Sequence, residues 1–321
     1  MSDKKLYREF CTTEQSIPIF SRDWWLDAVC GKDKWDVIVI KKSENIVAAL
    51  PFFIVHGRLF TTIGMPPLTQ ILGPWLQLSK SNYADRLSEQ KKMMSEIIDR
   101  LPPYDYFTQN FHYSIANWLP FYWKGFSQTT RYTYVIDDLN NLDKVWENFS
   151  YAKIKNINKA EKIVTVKYDL PAKEFYNNHK MTLAKKNENI SYSFELFEQI
   201  YMAGYSHNAA KTIYATDEAG NIHAALFVIW DSQSAYDLIS SIDPDFRNSG
   251  AATLLVKEII KYVSTRTRKF DFEGSMIEGV ENSFRQFGTV QRPYFSVYKT
   301  NSRLLMIKQN LASIWRTVRQ K

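Results

Sequence analysis

Short apolar runs broken by turn residues occur in two separate stretches of the chain. In the first, WDVIVIKK (Trp35–Lys42), IVAALPFFIV (Ile46–Val55) and LFTTIG (Leu59–Gly64) are separated by Ser43-Glu44-Asn45 and His56-Gly57-Arg58. In the second, AKTIYAT (Ala210–Thr216), IHAALFVIW (Ile222–Trp230) and SAYDLISSI (Ser234–Ile242) are separated by a turn holding Asp217 and Gly220 and by DSQS. β-Branched and aromatic runs between Gly, Asn, Asp and Ser predict strands joined by hairpins, so each stretch reads as a three-strand meander.

The period then changes. Leu87, Met94, Ile97, Ile98 and Leu101 recur at helical spacing and end at Pro102-Pro103, and Ala251, Leu254, Leu255, Ile259, Ile260 and Val263 do the same after the second meander. A strand follows in each case, YDYFTQNF (Tyr104–Phe111) and KFDFEGS (Lys269–Ser275). A short helix (FYWKGF, then SFRQFG) and a last strand (RYTYVI, then RPYFSVYK) close both series. The same order occurring twice predicts a tandem duplication of an α+β unit. The polar joint DDLNN (Asp137–Asn141) divides it into domains 1–136 and 137–321.

Composition narrows the class. The chain has 321 residues, 45% hydrophobic, enough for packed cores in two domains. Its longest apolar run has ten residues, half of what a bilayer-spanning helix needs (about 20). No signal peptide is visible in MSDKKLYREF, and Cys11 and Cys30 cannot make a disulfide framework, so a cytoplasmic protein is expected. The formal charge of +7 favours anionic ligands without choosing among them. From Asn282 to Lys321 there are eight basic residues and no acidic one. There Leu304, Leu305, Ile307, Leu311, Ile314, Trp315 and Val318 suggest an amphipathic helix, which packs on the domain or makes peripheral membrane contact.

The five histidines form no local metal-ligand pair, so no metal is expected. GxSxG and GxGxxG are absent, and Gly31-Lys32 is followed by Asp33 where a P-loop needs Ser or Thr. The segment that differs between the two series is SIDPDFRNSGAATLL (Ser241–Leu255), where the first copy has GMPPLTQILGP. Arg247-Asn248-Ser249-Gly250-Ala251-Ala252 opens the second amphipathic helix. Helix N-terminal amides lack internal partners and carry the positive end of the dipole, small residues admit an anion, and Arg247 adds charge. The segment suits a diphosphate, although an ordinary helix start would look similar.

A meander followed by DPxxRxxGxA at the start of a helix resembles the acyl-CoA loop of the GNAT acyltransferase superfamily. The resemblance implies tandem GNAT-like domains, each a mixed, mostly antiparallel sheet flanked by helices. It also implies a donor contact at Ile242, Arg247, Asn248, Ser249, Gly250, Ala251 and Ala252, with acetyl-CoA or another acyl-CoA as donor. More specifically, KIKNINKAEKIVTVKYDL (Lys153–Leu170) and the closing FDFEGS, SFRQFG and PYFSVYK segments are similar to the Fem-type (FemAB-like), double-domain branch. Many of its members act in cell-envelope synthesis, some with aminoacyl-tRNA and others with acyl-CoA. The superfamily often has a Tyr four residues before the Gly of the last helix, where it protonates the leaving thiolate. Phe284 stands there, and Tyr122 lies near the equivalent place of the first copy.

Amide formation from a thioester needs a proton acceptor for the amine and a donor for the thiolate. Asp271 and Glu273 alternate with Phe270 and Phe272, so a regular strand would put both carboxylates on one face. They are the candidate base, or else a structural carboxylate pair. Tyr294 is a candidate proton donor, and as a strand aromatic it is equally a packing residue. Lys155 and Lys159, with Lys162, share a helix face in a basic cluster with Lys153, and are candidates to hold an anionic acceptor or else form a solvated helix face. The Fem-type resemblance adds Arg285 to the candidates, since that branch often has a Lys in this region. Trp24-Trp25, Trp118, Trp123 and Trp146 serve either as sugar-stacking platforms or as core. The leading expectation is an acyl-CoA-dependent N-acyltransferase acting on a small-molecule or lipid-linked amine, a sugar or envelope precursor. The alternatives are a Fem-type aminoacyltransferase using tRNA and a non-catalytic binding protein; DNA is not expected as a partner.

Overall fold

The structure, a computed structural model, describes residues 1–274 and 276–308. Two compact units form, one of Met1–Arg131 with the described residues from Tyr294 onward, the other of Tyr132–Pro293.

In the first unit, helices α1 (Asp3–Thr13) and α2 (Asp23–Cys30) precede strands β1 (Trp35–Lys42), β2 (Asn45–His56) and β3 (Thr61–Gly64). A two-residue β4 (Trp75–Leu76) pairs with β2. Then come α3 (Tyr83–Asp99), β5 (Tyr106–Asn110), α4 (Leu119–Trp123) and β6 (Ser127–Ile136). Ser2 and Asn82 cap α1 and α3, each accepting from an N–H three residues on. The β1–β2–β3 meander is antiparallel, and the crossover through α3 brings β5 parallel to β3. Ile38, Leu50, Ile63, Met94, Ile97, Phe107 and Phe121 fill its core.

The second unit begins on the end of β6. Helices α5 (Leu142–Glu147) and α6 (Tyr151–Ala160) lead to β7 (Thr165–Tyr168), α7 (Ala172–Ala184) and α8 (Phe194–Ser206). The meander β8 (Ala210–Thr216), β9 (Ile222–Trp230), β10 (Ser234–Ile242) follows, then α9 (Ala251–Val263), β11 (Lys269–Asp271), α10 (Glu278–Arg285) and β12 (Val290–Thr300). β7 to β10 are antiparallel neighbours, β11 is parallel to β10, and the end of β6 pairs antiparallel with β11. Eight of the nine residues of β9 are buried. One face packs on α9 and α6 through Ala224, Leu226 and Val228, and the other meets Phe175 and Phe197 through Phe227. That double cover explains why this strand is an unbroken apolar run rather than an alternating one.

The fold is α+β, with two units that repeat meander, crossover helix and parallel strand. The units are not the two linear halves. Ser296–Thr300 of β12 pairs antiparallel with Tyr106–Asn110, so these hydrogen bonds place the chain's end in the first unit's sheet rather than with residues 137–293. The strand expected over Lys269–Ser275 stops at Asp271, because Glu273 and Gly274 both take the left-handed conformation. The basic stretch Lys153–Leu170 is helical only to Ala160 and then supplies β7. No helix among the described residues is long and apolar enough to cross a membrane. Leu311, Ile314, Trp315 and Val318 lie outside the described residues, as does Ser275.

Candidate functional site

Residues 243–250 connect β10 to α9 as a braced loop. Asp243 accepts from Asp245 N–H at 3.0 Å, and its own N–H donates to His223 O at 3.1 Å. The Lys185 ammonium from α7 bridges the Asp243 and Asp245 carboxylates at 2.7 and 2.6 Å, which raises the lysine's pKa. The His223 ring lies flat on Phe246, centroids 4.0 Å apart. From α6, Lys159 Nζ donates to Asn248 O at 2.7 Å. Gly250 follows with φ +84, and a Cβ there would sit 2.3 Å from Asn156 O of α6. Ser249 Oγ accepts from Ala251 N–H at 3.2 Å. The N–H groups of Gly250 and Ala252 have no partner among the described residues, and Arg247 is exposed beside them. A fixed set of donors next to an exposed cation is an arrangement suited to an anion.

A second feature lies toward the start of the same strand. β10 pairs with β11 only from Ser234 to Tyr236, and a bulge between Asp237 and Ile239 follows. Beyond it β10 continues to Ile242 with β9 as its strand partner, so its other edge departs from β11. At this opening three carboxyl groups gather. Asp271 accepts from Thr133 Oγ1 in a short contact and from Glu273 N–H at 2.8 Å. Asp237 accepts from Ser240 Oγ at 2.9 Å, while its Oδ1 is buried without a partner among the described residues. Glu273 stands at φ +58, and its Oε1 is shut off from solvent. Burial is the main cause that pushes Asp271 up to about 7 and Asp237 to about 6. Burial, then the charges of Asp271 and Asp237, hold the Glu273 carboxyl well above the usual carboxylate range. A non-glycine residue in the left-handed region costs about 1–3 kcal/mol, and such strain concentrates at functional sites.

The raised Asp271 gives a measurable pH dependence. Its ordinary value is 3.8 and its folded value about 7, so the native state holds the extra proton. The stabilisation from that proton is complete below the unfolded value and is lost as pH rises through the folded one. Asp271→Asn, which keeps an acceptor for Thr133 and Glu273 N–H, is therefore expected to gain stability relative to wild type between about pH 4 and pH 7. Melting temperatures of both proteins across that range test it, and a constant difference would contradict it.

The other sequence candidates separate. Ile242 ends β10, paired with Ala224, where the braced loop begins. Lys155 is exposed on α6, whereas Lys159 is engaged with the loop. Arg285 is tied within its own helix, to Asn282 at 2.8 Å and to Glu281 at 3.8 Å. Tyr294 is buried and belongs to the first unit. Trp25 is core, its Nε1 donating to Thr69 at 3.0 Å, while Trp123 is exposed.

Three residues were not singled out from sequence. Asp237 looked like one polar residue in an apolar strand, and only the bulge reveals its place. Lys185 and Thr133 act through partners 58 and 138 positions away, beyond any local pattern. Lys153, read as one of a basic cluster, is 8% exposed, with Nζ on Ser283 Oγ at 2.9 Å and 4.0 Å from the Phe287 ring centroid. Burial lowers its pKa to about 8.

No protein-family profile and no curated protein sequence matches the chain. Its fold is similar to that of FemX, with a TM-score of 0.70 at 12% identity over 92% of this chain and 96% of that one. A protein of unknown function from Bacteroides thetaiotaomicron matches at TM-score 0.56 and 13% identity, over 93% of this chain and 97% of that one. L-PGS from Bacillus licheniformis matches at 0.50 and 12% identity, over 81% and 83%. The likeness to FemX runs through both units, so the double-domain fold expected from the motifs is the fold of this chain.

Proposed function

We propose that the protein is an acyltransferase that moves an acyl group from a coenzyme A thioester to the nitrogen of an amine-bearing acceptor, a sugar or envelope precursor, free or lipid-linked. The observation that carries this reading is that one strand joins the braced loop to the carboxyl cluster. From Asp237 on β10 to Asp243 just past its end there are six residue steps, about 20 Å at ~3.3 Å each. That is comparable with the reach of a pantetheine arm between a diphosphate at Arg247–Ala252 and a thioester at Glu273. The arm carries amides, and the edge of β10 that has left β11 supplies backbone groups to pair with them.

In the reaction the amine nitrogen attacks the thioester carbon and the carbon–sulfur bond breaks. Glu273 takes the proton that the nitrogen loses, and the thiolate leaves with a proton from solvent. Asp271 is a positioning residue, since its carboxylate holds Glu273 N–H. A carboxyl whose pKa is raised by burial is a stronger base than an ordinary carboxylate and suits proton exchange with an ammonium. The incoming cation also offsets the mutual repulsion of the three carboxylates.

A second reading, an aminoacyl donor on tRNA, is favoured by one observation. The close approach of α6 accounts for Gly250 without a diphosphate, and Lys155 and Lys162 remain exposed on that side of the sequence. Titration of coenzyme A and of aminoacyl-tRNA at low and moderate salt decides between them. Coenzyme A binding with mild salt dependence is expected, and Arg247→Ala should weaken it by about 1–2 kcal/mol, the worth of a charged hydrogen bond. Salt-steep tRNA binding without coenzyme A binding would reverse the order. Failure to turn over any amine with acetyl-CoA bound would leave a binding protein.

A further inference from the structure

Helix α4 of the first unit is built with its apolar side outward. Pro120 and Phe121 are buried, while Leu119, Tyr122 and Trp123, spaced i, i+3 and i+4, are 41%, 59% and 58% exposed. Three apolar side chains on one exposed helix face invert the usual pattern, in which the stripe faces the core. Cations surround them. The Lys91 ammonium sits 5.4 Å from the Trp123 ring centroid. Lys124 follows the helix, and Lys299 Nζ donates to Lys124 O at 2.7 Å. Asp99, paired with Lys124, is the acidic partner among these groups. Just past Lys299, residues 303–308 are helical, with Leu304 and Ile307 exposed between Arg303 and Lys308.

We propose that the α4 ridge is a docking surface for an anionic lipid bilayer. Trp and Tyr have an apolar body and a polar tip, which suits the headgroup boundary, and lysines at that depth attract anionic headgroups. A sugar site would be concave, with side chains enclosing the ring. Here the rings project from a helix face and remain more than half exposed. The charge balance favours a negative surface, since Lys91, Lys124 and Lys299 face one carboxylate. The ridge belongs to the first unit, so the proposal does not depend on the acyl-transfer reading of the second.

The test is co-sedimentation of the full chain with vesicles of phosphatidylglycerol and phosphatidylcholine, against phosphatidylcholine alone. Binding to the anionic vesicles only, weakened by salt, with a blue shift of tryptophan emission, is expected. Tyr122→Ser with Trp123→Ser should reduce it about tenfold or more. Lys91→Glu, which leaves the exposed rings in place, should reduce it severalfold and covers the case in which the double variant does not fold. Equal binding to both vesicle types, or wild-type binding by the double variant or by Lys91→Glu, would overturn the assignment. So would absence of vesicle binding accompanied by self-association that the double variant loses, which would make the ridge a protein contact.

Discussion

Glu273→Gln is expected to lower the turnover of acyl transfer by about a hundredfold or more while leaving coenzyme A affinity nearly unchanged. The amide is close to isosteric and keeps the left-handed backbone and the N–H that Asp271 accepts, so the fold around φ +58 is retained. What it loses is the capacity to take a proton. Because burial and two neighbouring carboxyls hold Glu273 above the usual range, wild-type turnover should rise with pH as the carboxylate forms, at a pH above that of an ordinary carboxylate. The Gln variant should lack that rise. Asp271→Asn should behave differently, since it acts through the position of Glu273: a smaller loss of turnover, with the pH dependence kept but displaced downward by removal of one like charge. Steady-state rates of both variants from pH 5 to 9 distinguish the roles. Full activity in Glu273→Gln would return the carboxyl cluster to a structural role.

Much of the fold was legible because its signals are local. Turn residues at Asp217 and Gly220 mark a hairpin, and the apolar period of α9 marks a helix, whatever surrounds them. Long-range pairing was not legible. Nothing in RPYFSVYK says that Ser296–Thr300 will pair with Tyr106–Asn110, so the division of the chain into linear halves misassigned its end. At the site, the alternation of Asp271 and Glu273 with two phenylalanines pointed to the right carboxylates for an incomplete reason. The strand ends at Asp271, and a hydrogen bond from Glu273 N–H to that side chain, with two left-handed residues in succession, sets the second carboxyl instead. Asp237 escaped notice because a bulge carries no sequence signature in an otherwise regular run. Lys153 shows the converse limit: its neighbours in the sequence placed it in a basic cluster, and only packing against Phe287 makes it a buried lysine.

Gly250→Ala is expected to cost the second unit about 3–5 kcal/mol of stability, the sum of a strained φ and an overpacked contact. From sequence, Gly250 reads as room for a diphosphate, and Gly250→Glu would then remove binding and spare the fold. The close approach of α6 contradicts the second part of that expectation, that the fold is spared. At φ +84 any side chain is strained, and the Cβ would stand 2.3 Å from Asn156 O and 3.2 Å from Asn156 Cα, backbone atoms that cannot move without α6. Helix α6 is held there by its own core contribution, with Ile157 and Ala160 in one cluster with Ala251, Leu254 and Leu255. Making room for a methyl group means opening that interface along both helices. A loss of this size should lower the melting temperature by roughly 10 °C for a unit of this length. Arg247→Ala provides the contrast: an exposed side chain whose removal should leave the melting temperature unchanged and weaken coenzyme A alone. If Gly250→Ala instead melts like wild type while coenzyme A binding disappears, the glycine serves the ligand rather than the packing of α6 on α9.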